Sequence, residues 1–409
     1  MSPNQGALAP LRRGDIPRTA DCRQTSNAAA VLQAALDHGP VARSSVARLA
    51  GLSPAAVSRL SARLTRAGLL RDAPEASGPK GVGRPHVPVD VDTSRLVACG
   101  LHIAAEHATL SLLDLRGRVV ARESIAHVDT RPEQLLSRLA RRVPAFVGEH
   151  ASGRSPLGLG VATGGWVDPA DGRVVEHPVL GWRSVPVSAM LAAATGLPVR
   201  VDNHSRALAR AERTFGDVRA RTSIVHLLVG NVVDAAFATG GTVHHGPHSA
   251  AGAVAHLPLP DRSEPCSCGR RGCLQAVVSS QALARRAAQA GIGGGFAGLL
   301  DTALAGDERA IGIFRDRARL VGAAAALLLD VLNPELLVVA EAGTARLPGC
   351  LELLRDEVRA RSVMAEDPGR AVVSTSFVLD ALPVAGGAVI LDEVYASPLR
   401  RRTAARRAS

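Results

Sequence analysis

The chain has 409 residues, 46% of them hydrophobic, enough for two or three domains with a large core and too apolar for extensive disorder. Its 48 Lys and Arg against 37 Asp and Glu give a formal charge of +11, and the excess lies at the ends: residues 1–90 hold twelve basic and six acidic side chains, the tail 396–409 holds five Arg and no acid, and the 31 of each in between cancel. No 18-residue run reads as a membrane span, no apolar leader opens the chain, and six Cys are too few for a disulfide scaffold, so a cytoplasmic protein without a membrane partner is expected.

Residues 1–25 are polar and irregular and read as a loose arm. Three short helices are expected over 27–70. The first, Asn27–His38, carries a helical apolar period and ends at Gly39-Pro40. Ser44 or Ser45 can cap the second, which runs to Leu49 and Ala50. After the turn Gly51-Leu52, Ser53 caps the third with Pro54 at its first position, and Val57, Leu60 and Leu64 form its buried stripe. This helix–turn–helix would place Ser53, Ala55, Ala56, Ser58 and Arg59 near base edges in a major groove, with Arg63 on phosphate. No Phe, Trp or Tyr precedes Phe146, which argues against base-stacking RNA or single-strand binding and leaves double-stranded DNA as the polyanion. The alternative is a small helical bundle with a solvated Arg face. Arg71–Pro88 is a linker or a wing; as a wing, it would aim Arg84, held extended by Pro85, at a minor groove.

From Leu96 the pattern changes to α/β. Strands are expected at Leu96–Ile103, Thr109–Asp114, Val119–His127, Pro156–Ala162, Pro198–Val201, Ser223–Val229, Val232–Thr239, Leu336–Ala340 and Ala371–Ser374. Helices are expected at Pro132–Val147, Val187–Thr195, His204–Thr214, Ser279–Ala290, Glu308–Leu332 and Leu347–Arg361. Between them, His256, Cys266, Cys268 and Cys273 make a Cys₃His set for a closed, structural zinc site, with prolines stiffening the approach. No ligand position is left open, so the zinc would be structural and not hydrolytic.

The run Cys266–Leu274, with His256 at the position of the family's histidine ligand, resembles the signature of the ROK family of repressors and sugar kinases. The similarity covers about residues 25–395. Asn27–Leu70 with Gly83-Arg84-Pro85 resembles the winged helix-turn-helix of the family's regulators, and Val161–Asp168, Leu180–Trp182 and Leu332–Glu335 are similar to segments of its common body. The resemblance implies a winged helix-turn-helix domain (26–90) joined to an actin-like, ribonuclease-H-type body of two related lobes (91–395), with a zinc loop at 256–273 and a basic tail at 396–409.

The departures from the kinases bear on activity. Their first phosphate loop is matched here by Cys99–Ile103, without Gly-Gly-Thr, and their second by Gly230–Ala235, where Asp234 would repel phosphate. Their catalytic Asp is His204, after Asn203; a sugar-holding Glu is Ala253, and another is Gln275. A phosphotransferase needs a base and a phosphate cradle together, so the expectation is a DNA-binding repressor, a homodimer or tetramer on a palindromic operator, and not an enzyme. A hexose or N-acetylhexosamine kinase is the alternative. Three readings of the cleft stay open: a small-molecule effector, a sugar derivative or another compound, held by Asn203, His204 and Gln275; a dimerisation scaffold; or a protein-binding face. His204 itself reads equally as a ligand contact, a pH-sensitive group or a satisfied core histidine.

Overall fold

The computed structural model describes residues 19–76, 87–259 and 262–400, with side chains from residue 26 onward. Arg84 with its neighbours, most of the expected arm and the tail from residue 401 lie outside the described residues. The chain divides into two compact units between Asp92 and Thr93, the end of the last helix counting with the first.

In the first unit the helices are α1 (Thr19–His38), α2 (Arg43–Ala50) and α3 (Pro54–Arg66). Helix α1 begins earlier than expected because no Gly or Pro stops it between Thr19 and Asn27. The expected Ser44 or Ser45 cap is not used. Val41 exchanges two backbone hydrogen bonds with Val89, so the helix starts immediately after it, with Ala42 at the cap and no side-chain bond. Gly51 (φ 65°) turns the chain, and Ser53 Oγ accepts from the Ala56 N–H at 3.3 Å, as expected of a Ser-Pro start. Arg71–Pro88 reads as a linker or a wing; the described residues at its two ends are joined, β1 (Leu70–Asp72) pairing antiparallel with β2 (Val89–Val91), and Val41 adds a bridge at the edge.

The second unit holds two sheets of the same design. In the first lobe β3 (Leu96–Ile103), β4 (His107–Leu113) and β5 (Val119–Ala126) form an antiparallel meander. Helix α4 (Pro132–His150) leads to β6 (Ser155–Thr163), which joins β3 in parallel. A small antiparallel sheet, β7 (Trp166–Asp168), β8 (Arg173–His177) and β9 (Trp182–Val185), precedes α5 (Val187–Thr195) and β10 (Val199–Asn203). Helix α6 (His204–Phe215) passes to the second lobe, where β11 (Ser223–Val229), β12 (Val233–Thr239) and β13 (Thr242–Val243) form the second meander. Helices α7 (Leu274–Val278), α8 (Ser280–Gln289), α9 (Gly295–Leu304) and α10 (Glu308–Leu332) follow, then β14 (Leu336–Ala340), α11 (Ala342–Arg346), α12 (Cys350–Arg361), α13 (Pro368–Ala371), β15 (Val372–Ser374) and α14 (Ala381–Ala396).

The strand orders are β10-β6-β3-β4-β5 and β13-β12-β11-β14-β15. Taking β3, β4, β5, β6 and β10 as partners of β11, β12, β13, β14 and β15, the two orders are one topology repeated. This is the two-lobed, actin-like, ribonuclease-H-type body. Each lobe has its own core, and a third, built from Ala162, Ala207, Leu208, Leu228, Ala340, Ala385 and Val389, joins them through α6 and α14. Helix α14 comes so close to the first sheet that a Cβ on Gly160 would lie 2.0 Å from Gly386 O. The Gly386-Gly387 pair that makes this approach feasible also hid the helix from a propensity reading. The β7–β9 strands were missed because they are only three to five residues long.

Candidate functional site

Helix α3 buries Val57, Leu60 and Leu64 and turns Ser53, Ala55, Ser58 and Arg59 outward, with Ala56 and Arg63 half-buried. Its apolar stripe alone dictates this division. Among the described residues, Arg59 and Arg63 have no acidic partner, whereas Arg43 is tied to Asp72 at 2.6 Å and Arg71 to Glu75 at 2.5 Å. Arg59 therefore stands bare on the exposed face of the second helix of the turn, with Arg63, half-buried, beside it.

The metal-ligand set converges. The ligand atoms of His256, Cys266, Cys268 and Cys273 all lie within 4.8 Å of one another. A tetrahedral ion with metal–sulfur bonds of about 2.3 Å sets two sulfurs about 3.8 Å apart and a sulfur and an imidazole nitrogen about 3.5 Å apart. Cys268 Sγ and Cys273 Sγ are 3.7 Å apart, and Cys266 Sγ is 3.5 Å from His256 Nδ1. The four groups therefore suit a metal ion. The loop is knotted by its backbone: Leu259 N–H donates to Gly272 O, and a Cβ on Gly272 would lie 2.3 Å from Arg262 O. The backbone N–H and guanidinium of Arg270 draw the Cys268 thiol down to about 6, toward the thiolate that ligates metals. Cys273 then caps α7, which carries Gln275.

The cleft of the second unit holds a cavity of about 510 Å³, lined among others by Trp166, His177, Trp182, Val232, Asp234 and Gln275. A smaller one, about 140 Å³, lies between Asn203, Arg206 and the loop Ser249–Ala253. The structure thus places Gln275 at the larger cavity and Asn203 at the smaller; His204 lines neither. His204 is 6% exposed. Its Nε2 donates to Asp234 Oδ2 at 3.1 Å, and its Nδ1 lies 3.4 Å from His102 Nε2. Asn203 Nδ2 donates to Asp234 at 3.0 Å and to Gly165 O at 2.9 Å, while its Oδ1 caps α6. Burial works to raise the Asp234 carboxyl, but the hydrogen bond and charge of His204 and the amide of Asn203 outweigh it and hold it below the usual range. Sequence reasoning took Asp234 only as an obstacle to phosphate; its role as the acceptor that gathers Asn203 and His204 has no local signal.

The neighbouring imidazoles are kept neutral. Burial, with the nearby His204, drives His102 well below its ordinary value, His177 to about 4 and His226 to about 3. Beneath α6, burial again works to raise Asp202, but Arg210 and Arg206 outweigh it and hold it low. Two backbone donors of the loop Gly230–Ala235 are occupied: Gly230 N–H donates to Val232 O and Val233 N–H to Gln275 Oε1. His244, His245 and His248 do not gather: His244 stacks on Phe237, His245 meets Arg210, and His248 O accepts from Trp166.

Comparison with known proteins bears on the whole chain. Residues 98–393 match the profile described as ROK family. A transcriptional regulator of Mycobacterium tuberculosis is 35% identical over 390 residues, covering 91% of this chain and 87% of its own length. The DNA-binding transcriptional repressor Mlc of Escherichia coli is 25% identical over 394 residues, covering 93% and 96%. The crystal structure of a ROK family transcriptional regulator, a homologue of the E. coli protein, superposes with a TM-score of 0.74 at 22% identity, covering 93% of this chain and 98% of that one, and so shares its fold.

Proposed function

The chain belongs to the ROK family, on its transcriptional-regulator branch, and from that premise we propose that it is a DNA-binding repressor. The observation that carries the reading is the exposed face of α3. Small residues at Ala55 and Ala56 allow close approach to a groove, and among the described residues no carboxylate pairs with Arg59 or Arg63. Ser53, Ala55, Ala56, Ser58 and Arg59 face base edges and Arg63 meets phosphate. Arg84 extends the contact into the minor groove. Two copies, or four, set their recognition helices on the half-sites of an operator.

The α/β body serves assembly and sensing and does not transfer phosphate. Asp234 and the occupied amides of Gly230 and Val233 support this, because a phosphoryl group would meet a carboxylate where it needs donors. The ion in the Cys₃His loop is zinc. The three thiolates and one imidazole would hold it closed, ordering the loop that sets Gln275 at the cavity. A repressor that meets its operator would work in the cytoplasm; among the described residues no helix is long and apolar enough to cross a membrane.

The test is binding of the full chain to its own promoter region, followed by fluorescence anisotropy across a salt series. A repressor of this kind loses affinity steeply with salt. Binding that is absent, or indifferent to salt, overturns the reading. ATP turnover above blank with any hexose or N-acetylhexosamine would restore the kinase alternative.

A further inference from the structure

The sulfurs of the Cys₃His loop are placed unequally. Among the cysteines with described side chains, Cys99, Cys273 and Cys350 are buried, Cys266 is half-buried, and Cys268 alone is exposed. Cys268 stands at the tip of a tight hairpin, in which Cys266 N–H donates to Arg270 O and Gly269 N–H to Cys266 O. It also lines the larger cavity, so a small solute reaches its sulfur. The Arg270 guanidinium is hydrogen-bonded to that sulfur. An exposed sulfur beside a cation is the kind that small oxidants select.

A second thiol is within reach. Cys273 Sγ lies 3.7 Å from Cys268 Sγ, whereas Cys266 Sγ meets His256 Nδ1 at 3.5 Å. A disulfide spans about 2.05 Å, so the pair must close by about 1.7 Å. Cys273 is fixed at the start of α7, where Pro258 pairs with it. The movement therefore falls to the hairpin tip, where Gly269 sits at φ 84° with open space at its Cβ position.

We propose that Cys268 and Cys273 form a dithiol oxidised by a hydroperoxide, Cys268 taking the oxygen and Cys273 resolving it to a disulfide. The Cys268 sulfur attacks the near oxygen of the peroxide, and the O–O bond breaks. The far oxygen leaves as hydroxide beside Arg270, takes a proton and becomes water. The Cys273 sulfur then attacks the sulfenic acid at Cys268, the S–O bond breaks, and a second hydroxide leaves and is protonated. The sulfurs give up two electrons, hydrogen peroxide takes them, and two waters result. The disulfide withdraws two of the four metal ligands and loosens the start of α7, whose Gln275 holds Val233 N–H. Loss of the ion rests on the zinc reading; the cross-link does not.

Titration of the reduced full chain with hydrogen peroxide tests it. Free thiols are blocked with iodoacetamide in denaturant, disulfides are reduced and labelled with N-ethylmaleimide, and tryptic peptides are mapped by mass spectrometry. Cleavage after Arg270 and Arg271 puts Cys268 and Cys273 on separate peptides. Cys268 and Cys273 should take the maleimide together, two thiols lost per peroxide, while Cys266, Cys99 and Cys350 carry iodoacetamide. Dimedone present during oxidation should trap the sulfenic acid at Cys268. A metallochromic dye should read about one zinc released per chain, in step with the cross-link. Cys268 oxidised no faster than buried Cys99, or a disulfide through Cys266 in place of this one, overturns the proposal. The same cross-link in protein that elemental analysis finds free of zinc supports the dithiol and refutes only the zinc reading.

Discussion

His204 gives the hydrogen on its Nε2 to Asp234 across 3.1 Å, and both residues are less than a tenth exposed. The bond ties the start of α6 to β12, and Asn203 doubles it. Asp234→Ala would leave two buried donors without an acceptor, at a cost of about 1–3 kcal/mol. The expected result is a lower urea midpoint for Asp234→Ala, with Asp234→Asn losing less. Equal midpoints for wild type and Asp234→Ala would remove the seam from the account of how the two sheets are joined.

Acid should weaken the fold well above the carboxylate range. The buried His102, His177 and His226 titrate below 6.5 in the folded chain, His177 at about 4 and His226 at about 3. As pH falls through 6.5 the unfolded chain takes up protons that the folded chain refuses. Stability is therefore full above about 6.5 and declines as pH drops toward 4, by up to about 1.4 kcal/mol per unit for each imidazole. Urea midpoints at pH 7.5 and 5.0 measure this; identical midpoints contradict it. Among the described residues neither ring nitrogen of His226 has a partner, so His226→Leu should hold or raise stability at pH 7 and flatten the slope.

Purified protein should carry about one zinc per chain by elemental analysis. Chelation, or Cys268→Ser, should lower the melting temperature, since ligand-ion binding energy contributes directly to folding of such loops. A chain that loses its metal with no change in melting or protease resistance would leave the loop without a structural ion.

On DNA, Arg59→Ala should relax sequence preference at one base position and cost about 1–3 kcal/mol on the best site. Arg63→Ala should weaken all sequences alike and reduce the salt slope by about one. Competition assays with single-base operator variants separate the two effects, and an operator affinity untouched by both changes would move the recognition surface elsewhere.

Gly160→Ala should be among the most damaging single-methyl additions. The new Cβ meets the Gly386 carbonyl, a backbone atom that can withdraw only if α14 shifts. A loss of about 3 kcal/mol, or failure to recover folded protein, is expected; a near-neutral thermal melt would mean that α14 does not pack on β6 as described.

How much of this was legible depended on the range of the interactions. The Ser53-Pro54 start, the apolar stripe of α3 and the cluster Cys266, Cys268 and Cys273 are local patterns, and each stands where its spacing put it. The pairing of Leu70 with Val91 joins the two ends of a segment that reads equally as linker or wing, and no local pattern announces it. Helix α14 was invisible for the opposite reason: its glycines lower helix propensity, and their use appears only where they meet Gly100 and Gly160.

By itself the sequence determined the class of the molecule: a basic helix-turn-helix head, an α/β body, a Cys₃His loop, and the loss of the groups that phosphotransfer requires. The first three follow from periodicity, composition and residue identity, which need no partner distant in the chain; the last follows from setting the sequence beside the kinases of the family it resembles. Tertiary structure alone decided the state of the cleft. Whether Asn203, His204 and Gln275 are free to meet a ligand depends on Asp234, Val233 and His102, brought from other strands. The folded chain leaves Gln275 a free donor at the larger cavity and turns His204 inward, because a buried carboxylate takes the nearest hydrogen bonds before any ligand arrives.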